Sequence, residues 1–178
     1  TCGNNHGFFI GATPTNLAEL QEVVGTIDAP RAIPGICGTK VFMGSSTGTL
    51  LVNEREALDR IFGGIGGLIA VHAEDEDRLN ERYPSFEHRT DMAAHAEWRD
   101  DVTALLATKI AVELAERHQH RLHILHLTSG LEADWLEGRT SLPSQAVGKG
   151  VITTEVLPQH LTFNEMDVER EGVRLKMN

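Results

Sequence analysis

Residues 68–73 read LIAVHA, a run that is apolar on both alternating faces up to a single histidine. A strand with one face in water alternates apolar and polar residues, whereas a strand covered on both faces does not. The run is therefore predicted to be a strand of a parallel sheet with both faces covered. Four further runs of similar character lie at residues 7–12, 39–44, 121–128 and 151–157.

Segments of helical period lie between and after these runs, at residues 15–24, 54–62, 74–82 and 100–117, with a weaker one at 164–171. Strands that alternate with helices predict an α/β fold. Five such units in 178 residues suit either an open doubly wound sheet or part of a (β/α)₈ barrel, which needs roughly 250 residues. No G-x-G-x-x-G follows the first strand, so a nucleotide-binding sheet loses most of its support. Residues 83–99 form the longest stretch without predicted structure.

The overall charge limits the partners that the surface can attract. There are 16 Lys and Arg against 26 Asp and Glu, a net charge of −10, which disfavours nucleic acid and anionic membranes. No apolar run approaches the roughly 20 residues that cross a bilayer, and the first residues lack a signal-peptide pattern. Two cysteines are too few for a disulfide framework. We therefore expect a soluble, cytoplasmic protein.

Three predicted strands carry a chemically competent side chain at or near their C-terminal half, namely Lys40, His72 and His126. Ligands bind at that end of a parallel α/β sheet. Imidazole is a common zinc ligand, so His72 and His126 form a candidate pair, although a single histidine in an apolar strand is more often a hydrogen-bonded core residue. His123 and His126 are three residues apart and should point to opposite faces, so at most one of them should line a shared interior.

Lys40 lies inside an apolar strand, where a lysine must reach water, pair with a carboxylate, or lose its proton because burial lowers its pKa. A neutral amine is a nucleophile. It can form a Schiff base with a carbonyl substrate, or it can capture carbon dioxide to become an anionic carbamate that bridges two metals. On chemistry alone, the ion pair, the Schiff base and the carbamate all remain open.

Several other residues are weaker candidates. Glu155 lies in the fifth run and His160 just past it, and either can face the same cavity. His95 and Arg99 can bind an anionic substrate, although a loop arginine is more often solvated or packed on a neighbour. Glu74 should point the same way as His72.

Two histidines are not expected to take part in the site. His118 and His120 lie in a polar connection between a predicted helix and the next strand. We expect both at the surface.

At these residues the sequence resembles the cyclic amidohydrolases, and within them most closely dihydroorotase. The similarity covers almost the whole chain in the order of the family. The matching segments are FFIGATPTNLAEL (8–20), GTKVFMGSSTGTLLV (38–52), AVHAEDEDRL (70–79), HAEWRD (95–100), RLHILHLTS (121–129), TTEVLPQHL (153–161) and LKMN (175–178).

The resemblance implies a TIM-like barrel whose C-terminal mouth holds two divalent metal ions, usually zinc. Lys40 matches the carboxylated lysine that bridges them, His72 and His126 match histidine ligands, and Asn178 matches an asparagine that contacts the substrate ring. The implied reaction is the reversible closure of N-carbamoyl-L-aspartate to L-dihydroorotate in pyrimidine biosynthesis. Dihydropyrimidinase, hydantoinase and allantoinase chemistry, or a non-catalytic structural partner of another enzyme, are the alternatives.

The chain also departs from the family pattern. The H-x-H of the first barrel strand and the late-strand catalytic Asp have no counterpart in the sequence. We therefore interpret residues 1–178 as a single, incomplete barrel domain from the middle of a longer enzyme. Open sheet edges in such a piece favour association, so we expect a homo-oligomer.

Overall fold

The computed structural model describes residues 3–44, 49–140 and 151–176, and its centre is a five-stranded parallel sheet. The strands follow one another across the sheet in chain order, as β1 (Phe8–Gly11), β2 (Ile36–Phe42), β3 (Leu68–His72), β4 (Arg121–Ile124) and β5 (Ile152–Thr154). The predicted α/β class and all five predicted strands are confirmed. The sheet does not close on itself within the described residues, as expected for part of a barrel.

Helices connect and follow the strands. They are α1 (Leu17–Val24), α2 (Arg55–Gly64), α3 (Glu76–Arg82), α4 (Ala93–Trp98), α5 (Asp101–His118), α6 (Gly130–Leu136), α7 (Pro158–Thr162) and α8 (Val168–Glu171), with 3₁₀ turns at Tyr83–Ser85, Glu165–Asp167 and Gly172–Leu175. The longest helix, α5, begins after Asp100, whose carboxylate accepts a hydrogen bond from the backbone N–H of Thr103. No helix among the described residues is both long and apolar enough to span a membrane.

The stretch 83–99, predicted to lack structure, contains a 3₁₀ turn and α4. Its order comes from contacts with α3, because the indole N–H of Trp98 donates to the backbone carbonyl of Leu79 at 2.8 Å. Arg82 donates to the carbonyls of Glu97 and Trp98. These contacts join residues 15 to 19 apart, so no short sequence window contains them.

The register of the strands assigns the two faces of the sheet. Lys40, Ala70, His123 and Thr153 are successive partners across β2 to β5, so they point to one face. His72 lies two residues beyond Ala70 and shares that face. The opposite face packs against the helices in a single buried cluster. The cluster includes Val41, Val71, Leu122 and Ile124 from the strands and Leu58, Phe62 and Leu114 from the helices. Helices thus cover one face, and the other face holds the candidate site.

Candidate functional site

Lys40 lies on the face of the sheet that the helices leave free. Its Nζ is buried and has no hydrogen-bond partner among the described residues, and it lies 4.2 Å from the centre of the Phe42 ring. Burial lowers the pKa of Lys40 to about 7, and the carboxylate of Glu155 opposes this shift. The ion-paired alternative for Lys40 therefore has no support within the described residues, and a substantial fraction of the amine is neutral at physiological pH.

His72 is the last residue of β3 and is 6 % exposed. Its two ring nitrogens have different partners. Nδ1 lies 3.1 Å from Nε2 of His126, and Nε2 lies 2.7 Å from Oε2 of Glu74. The prediction that Glu74 points the same way as His72 is confirmed.

Glu74 is buried against Arg99 as well as His72. The Nε of Arg99 donates to Oε1 at 2.8 Å, and its Nη2 donates to Oε2. Burial raises the pKa of Glu74, but the hydrogen bonds from His72 and Arg99 and the charge of Arg99 outweigh it, so the pKa is lowered overall. Arg99 is thus neither solvated nor a free anion site: its side chain is 8 % exposed and bound to a carboxylate.

β4 ends at Ile124, and His126 lies two residues beyond it. The sequence predicted that this strand continues to residue 128. The φ of His126 is +38°, in the left-handed region that residues other than glycine seldom adopt. Burial lowers the pKa of His126, and the neighbouring His72 and Lys40 lower it further.

The prediction that His123 and His126 face opposite sides is wrong. His123 shares the Lys40 face by register, with Nδ1 2.8 Å from Oγ1 of Thr153 and Nε2 3.4 Å from Oε2 of Glu155. His126 reaches the same side because the regular alternation of a strand stops at Ile124 and the positive φ turns the chain. Both histidines therefore belong to the same side of the sheet.

A cavity of about 470 Å³ opens at the carboxyl ends of β3 and β4. Its lining includes His72, His126, Arg99 and His160, and the Nδ1 of His160 is buried without a hydrogen-bond partner among the described residues. Lys40 is not among the lining residues and lies on the neighbouring strand β2. The cavity is large enough for a small cyclic molecule.

No family model matches the sequence. The chain is 32% identical over 142 residues to a dihydroorotase of Methanosarcina acetivorans, covering 78% of this chain and 30% of that protein. It is 30% identical over 182 residues to an allantoinase of Deinococcus radiodurans, covering 96% and 36%. The solved structure of an L-hydantoinase (dihydropyrimidinase) from Arthrobacter aurescens superposes with a TM-score of 0.73 at 24% identity, covering 93% and 35%.

The chain belongs to the cyclic amidohydrolase superfamily. The resemblance seen in the sequence is thereby confirmed, and the structural similarity shows that the sheet has the same fold as the corresponding part of the hydantoinase structure. The chain spans about a third of the length of the curated relatives that it matches.

Some residues predicted for this cyclic amidohydrolase need correction or stay untested. His120, expected at the surface, is 3 % exposed, with ring nitrogens 3.0 Å from the carbonyls of Ile65 and Arg121. His118 is partly buried and contacts Asp59. Asn178, predicted to contact substrate, lies outside the described residues.

Sequence reasoning also missed Glu132, a cavity residue of the cyclic amidohydrolase chain. It is 3 % exposed and accepts a hydrogen bond from Oγ1 of Thr108 at 2.6 Å. Burial raises the pKa of Glu132 to about 7, against the effect of that hydrogen bond. Only its tertiary environment distinguishes it from the other glutamates, since it lies in the first turn of α6, where acidic residues are common.

Gly44 sets how closely the end of β2 approaches the residue that holds His72. A Cβ at Gly44 would lie 2.4 Å from the backbone oxygen of Glu74, closer than real Cβ contacts. We expect Gly44→Ala to lower the free energy of unfolding by about 1–3 kcal/mol, the usual cost of overpacking, in urea denaturation. Gly130→Ala is the control, because its Cβ would meet nothing within 4 Å. Equal losses in both variants would contradict the close-approach explanation.

Proposed function

We infer that the protein containing this chain is a metal-dependent hydrolase that opens and closes cyclic amides. The observation that carries this inference is the side-by-side placement of His72 and His126 on the face that also holds the unpaired amine of Lys40. A scaffold has no need for such a set, whereas a metal-dependent hydrolase requires basic ligands at the mouth of the barrel. The names of the curated relatives support the same class.

The residues fit a metal ion by two tests. The facing nitrogens of His72 and His126 are 3.1 Å apart, close to the separation of about 3.3 Å for two imidazole nitrogens on a tetrahedral zinc at roughly 2.0–2.1 Å. The buried Lys40 amine lacks a hydrogen-bond partner within the described ranges and has a pKa of about 7, so part of it is in the unprotonated form that captures carbon dioxide. No group of three His, Cys, Asp or Glu within the described ranges completes a site by itself. We therefore propose that His72, His126 and carboxylated Lys40 supply part of the ligand set for two divalent ions, with zinc as the first choice.

Such ions, when bound, supply Lewis-acid polarisation of the ring carbonyl and lower the pKa of a water molecule. The chain's own residues have separate tasks. Glu74 holds the ring of His72, and the cavity at the strand ends receives the ring of the substrate.

For the specific reaction we propose dihydroorotase, the interconversion of N-carbamoyl-L-aspartate and L-dihydroorotate. Support comes from the Methanosarcina acetivorans relative and a second dihydroorotase, of Methanosarcina mazei, that is 30% identical. The GSSTG that follows Lys40 in the sequence agrees with this choice.

Allantoinase is the second candidate, favoured by the charge of the cavity. The described lining carries five acidic side chains, of which Glu132 has a pKa of about 7, against two basic ones: Glu74, Asp100, Asp101, Glu132 and Glu165 against Arg99 and Lys176. A negative cavity repels the carboxylate of dihydroorotate more than it does an uncharged ring such as allantoin. The allantoinase similarity also covers more of the chain.

A substrate comparison distinguishes these candidates. The intact protein, loaded with zinc in the presence of bicarbonate, is expected to turn over L-dihydroorotate with a kcat/KM at least about tenfold above that for allantoin, hydantoin or dihydrouracil, a difference of about 1.4 kcal/mol in transition-state binding. Chelation of the metal should abolish the activity. Preference for allantoin would replace the specific assignment, and no turnover of any cyclic amide would refute the hydrolase proposal.

Three further expectations remain proposals. We propose that residues 1–178 form one unit within a larger barrel, which the coverage of about a third of each relative supports. We propose a homo-oligomer, because the exposed Phe8 and Phe9 lie on the edge strand β1. A cytoplasmic location is proposed from the cysteine content.

A further inference from the structure

A buried ion pair between Arg99 and Glu74 lies directly behind His72. The side chains of Arg99 and Glu74 are 8 % and 11 % exposed, and the guanidinium binds both carboxylate oxygens. Taking two charges out of water costs several kcal/mol per ion, and replacing such a pair by apolar residues is often neutral or stabilising. Stability alone is therefore a poor reason for this pair.

The carboxylate of this pair also makes a hydrogen bond to His72. Oε2 of Glu74 lies 2.7 Å from Nε2 of the imidazole. An ionised carboxylate can only accept, so Nε2 of His72 must carry the hydrogen. In a neutral imidazole, Nδ1 then keeps its lone pair, and Nδ1 is the atom that faces His126 at 3.1 Å.

Arg99 is itself held in place from outside the sheet. It follows α4, and its backbone N–H donates to the carbonyl of His95. The preceding residue, Trp98, is bound to Leu79 on α3, the helix that follows β3. The connection between β3 and β4 thus returns to the end of β3 and places a bidentate cation on the carboxylate beside His72.

We propose that Arg99 and Glu74 are positioning residues: Glu74 holds His72 in its Nε2–H tautomer, and Arg99 fixes the Glu74 carboxylate in the orientation that does so. The proposal rests on the proposed function in one respect only, namely that the lone pair of Nδ1 binds a metal ion. The tautomer itself exists without metal and is measured without metal. Carboxylate–histidine pairs of this kind orient metal ligands, and their loss typically costs roughly 10–100-fold in metal affinity.

The test is nitrogen-15 NMR of the His72 ring in the intact, metal-free protein at about pH 8. The wild-type protein should show a single Nε2–H tautomer. Arg99→Met should show both tautomers, and Arg99→Lys, which restores one cationic donor but not the fork, should lie between them. Arg89→Met is the matched control, since Arg89 lies in the same connection but pairs with Asp91 and Glu97.

A double variant covers the case in which Arg99→Met does not fold because Glu74 is left as an unpaired charge. Glu74→Gln with Arg99→Met keeps the shape of both side chains and removes both charges. The glutamine amide can donate as well as accept, so mixed tautomers are expected. A single Nε2–H tautomer in this variant, or an Nδ1–H tautomer in the wild type, overturns the proposal.

Zinc binding, measured by competition with a chelator, separates this proposal from the proposed function. Arg99→Met should bind zinc roughly 10–100-fold more weakly than the wild type and Arg89→Met should not. Mixed tautomers with no zinc binding in any form would leave the positioning role intact and refute the metal-dependent function. If Arg99→Met bound zinc as the wild type does and kept a single Nε2–H tautomer, the positioning role would be refuted and the metal-dependent function would stand.

Discussion

Lys40→Met is expected to abolish ring hydrolysis and, at the same time, to make the metal-free protein more stable. The lysine amine is the group from which a carbamate ligand would form, and methionine cannot replace it. Loss of several kcal/mol of charge stabilisation by the metal ions corresponds to a fall in kcat of about 10³-fold or more. The gain in stability has a separate cause, which is the burial of the amine.

The pKa of Lys40 is about 7 in the folded protein, against 10.5 for an ordinary lysine. The unfolded chain therefore binds more protons than the folded chain between these values, and stability rises with pH across that window. Below about pH 7 the full cost of burying the amine is present, and at pH 10.5 it has been relieved. Lys40→Met removes this cost, on the order of 2–4 kcal/mol at pH 7 after allowance for the partial exposure of the site.

Urea denaturation of the chelated protein at pH 7 and pH 10 measures the effect. The advantage of Lys40→Met should shrink as the pH rises. Lys109→Met is the control, because Lys109 is exposed on α5, and it should change neither stability nor activity by much. An active Lys40→Met protein would refute the ligand role, and a variant no more stable than wild type at pH 7 would contradict the buried neutral amine.

A second variant at the same position distinguishes the chemical alternatives for Lys40. Lys40→Ala leaves space in which acetate or propionate can supply the missing anionic oxygens of a carbamate, so partial recovery of activity is expected. A Schiff-base lysine could not be replaced in this way. Covalent trapping of the wild-type protein with substrate and borohydride would instead support the Schiff base.

His126→Asn is expected to keep the fold and lose the activity. His126 has a φ of +38°, a conformation that asparagine tolerates better than most residues. The free energy of unfolding should thus change by less than about 1 kcal/mol, whereas His126→Ala should lose roughly 1 kcal/mol more because alanine pays the left-handed strain without compensation. The loss of a metal ligand should reduce kcat by about 10³-fold, in line with several kcal/mol of metal-derived stabilisation.

His123→Asn is the matched control for His126→Asn. Both histidines face the same side of the sheet, but His123 binds Thr153 and lies near Glu155, whereas His126 contacts His72. Metal content and kcat should fall much further in His126→Asn than in His123→Asn. A larger loss on substitution of His123 would show that the ligand of β4 has been assigned to the wrong residue.

Apolar patterning was sufficient to predict the five strands and the long helix α5, because strands covered on both faces leave continuous apolar runs and α5 carries an apolar stripe. It failed where tertiary contacts set the local conformation. α4 was missed because its order depends on contacts with α3: Trp98 donates to the carbonyl of Leu79, and Arg82 donates to the carbonyl of Trp98. β4 was predicted four residues too long because LHLT continues the apolar pattern after the regular strand has ended at Ile124.

The sequence by itself determined the class of fold, the superfamily resemblance, and the choice of Lys40, His72 and His126, since these depend on residue type and spacing along single strands. Only the tertiary structure decided how these residues meet. The contact between His72 and His126 depends on a left-handed residue past the end of β4, and the pKa of Lys40 depends on burial by neighbouring strands. The ion pair behind His72 joins residues 25 apart through a connection of helices, which no periodicity encodes.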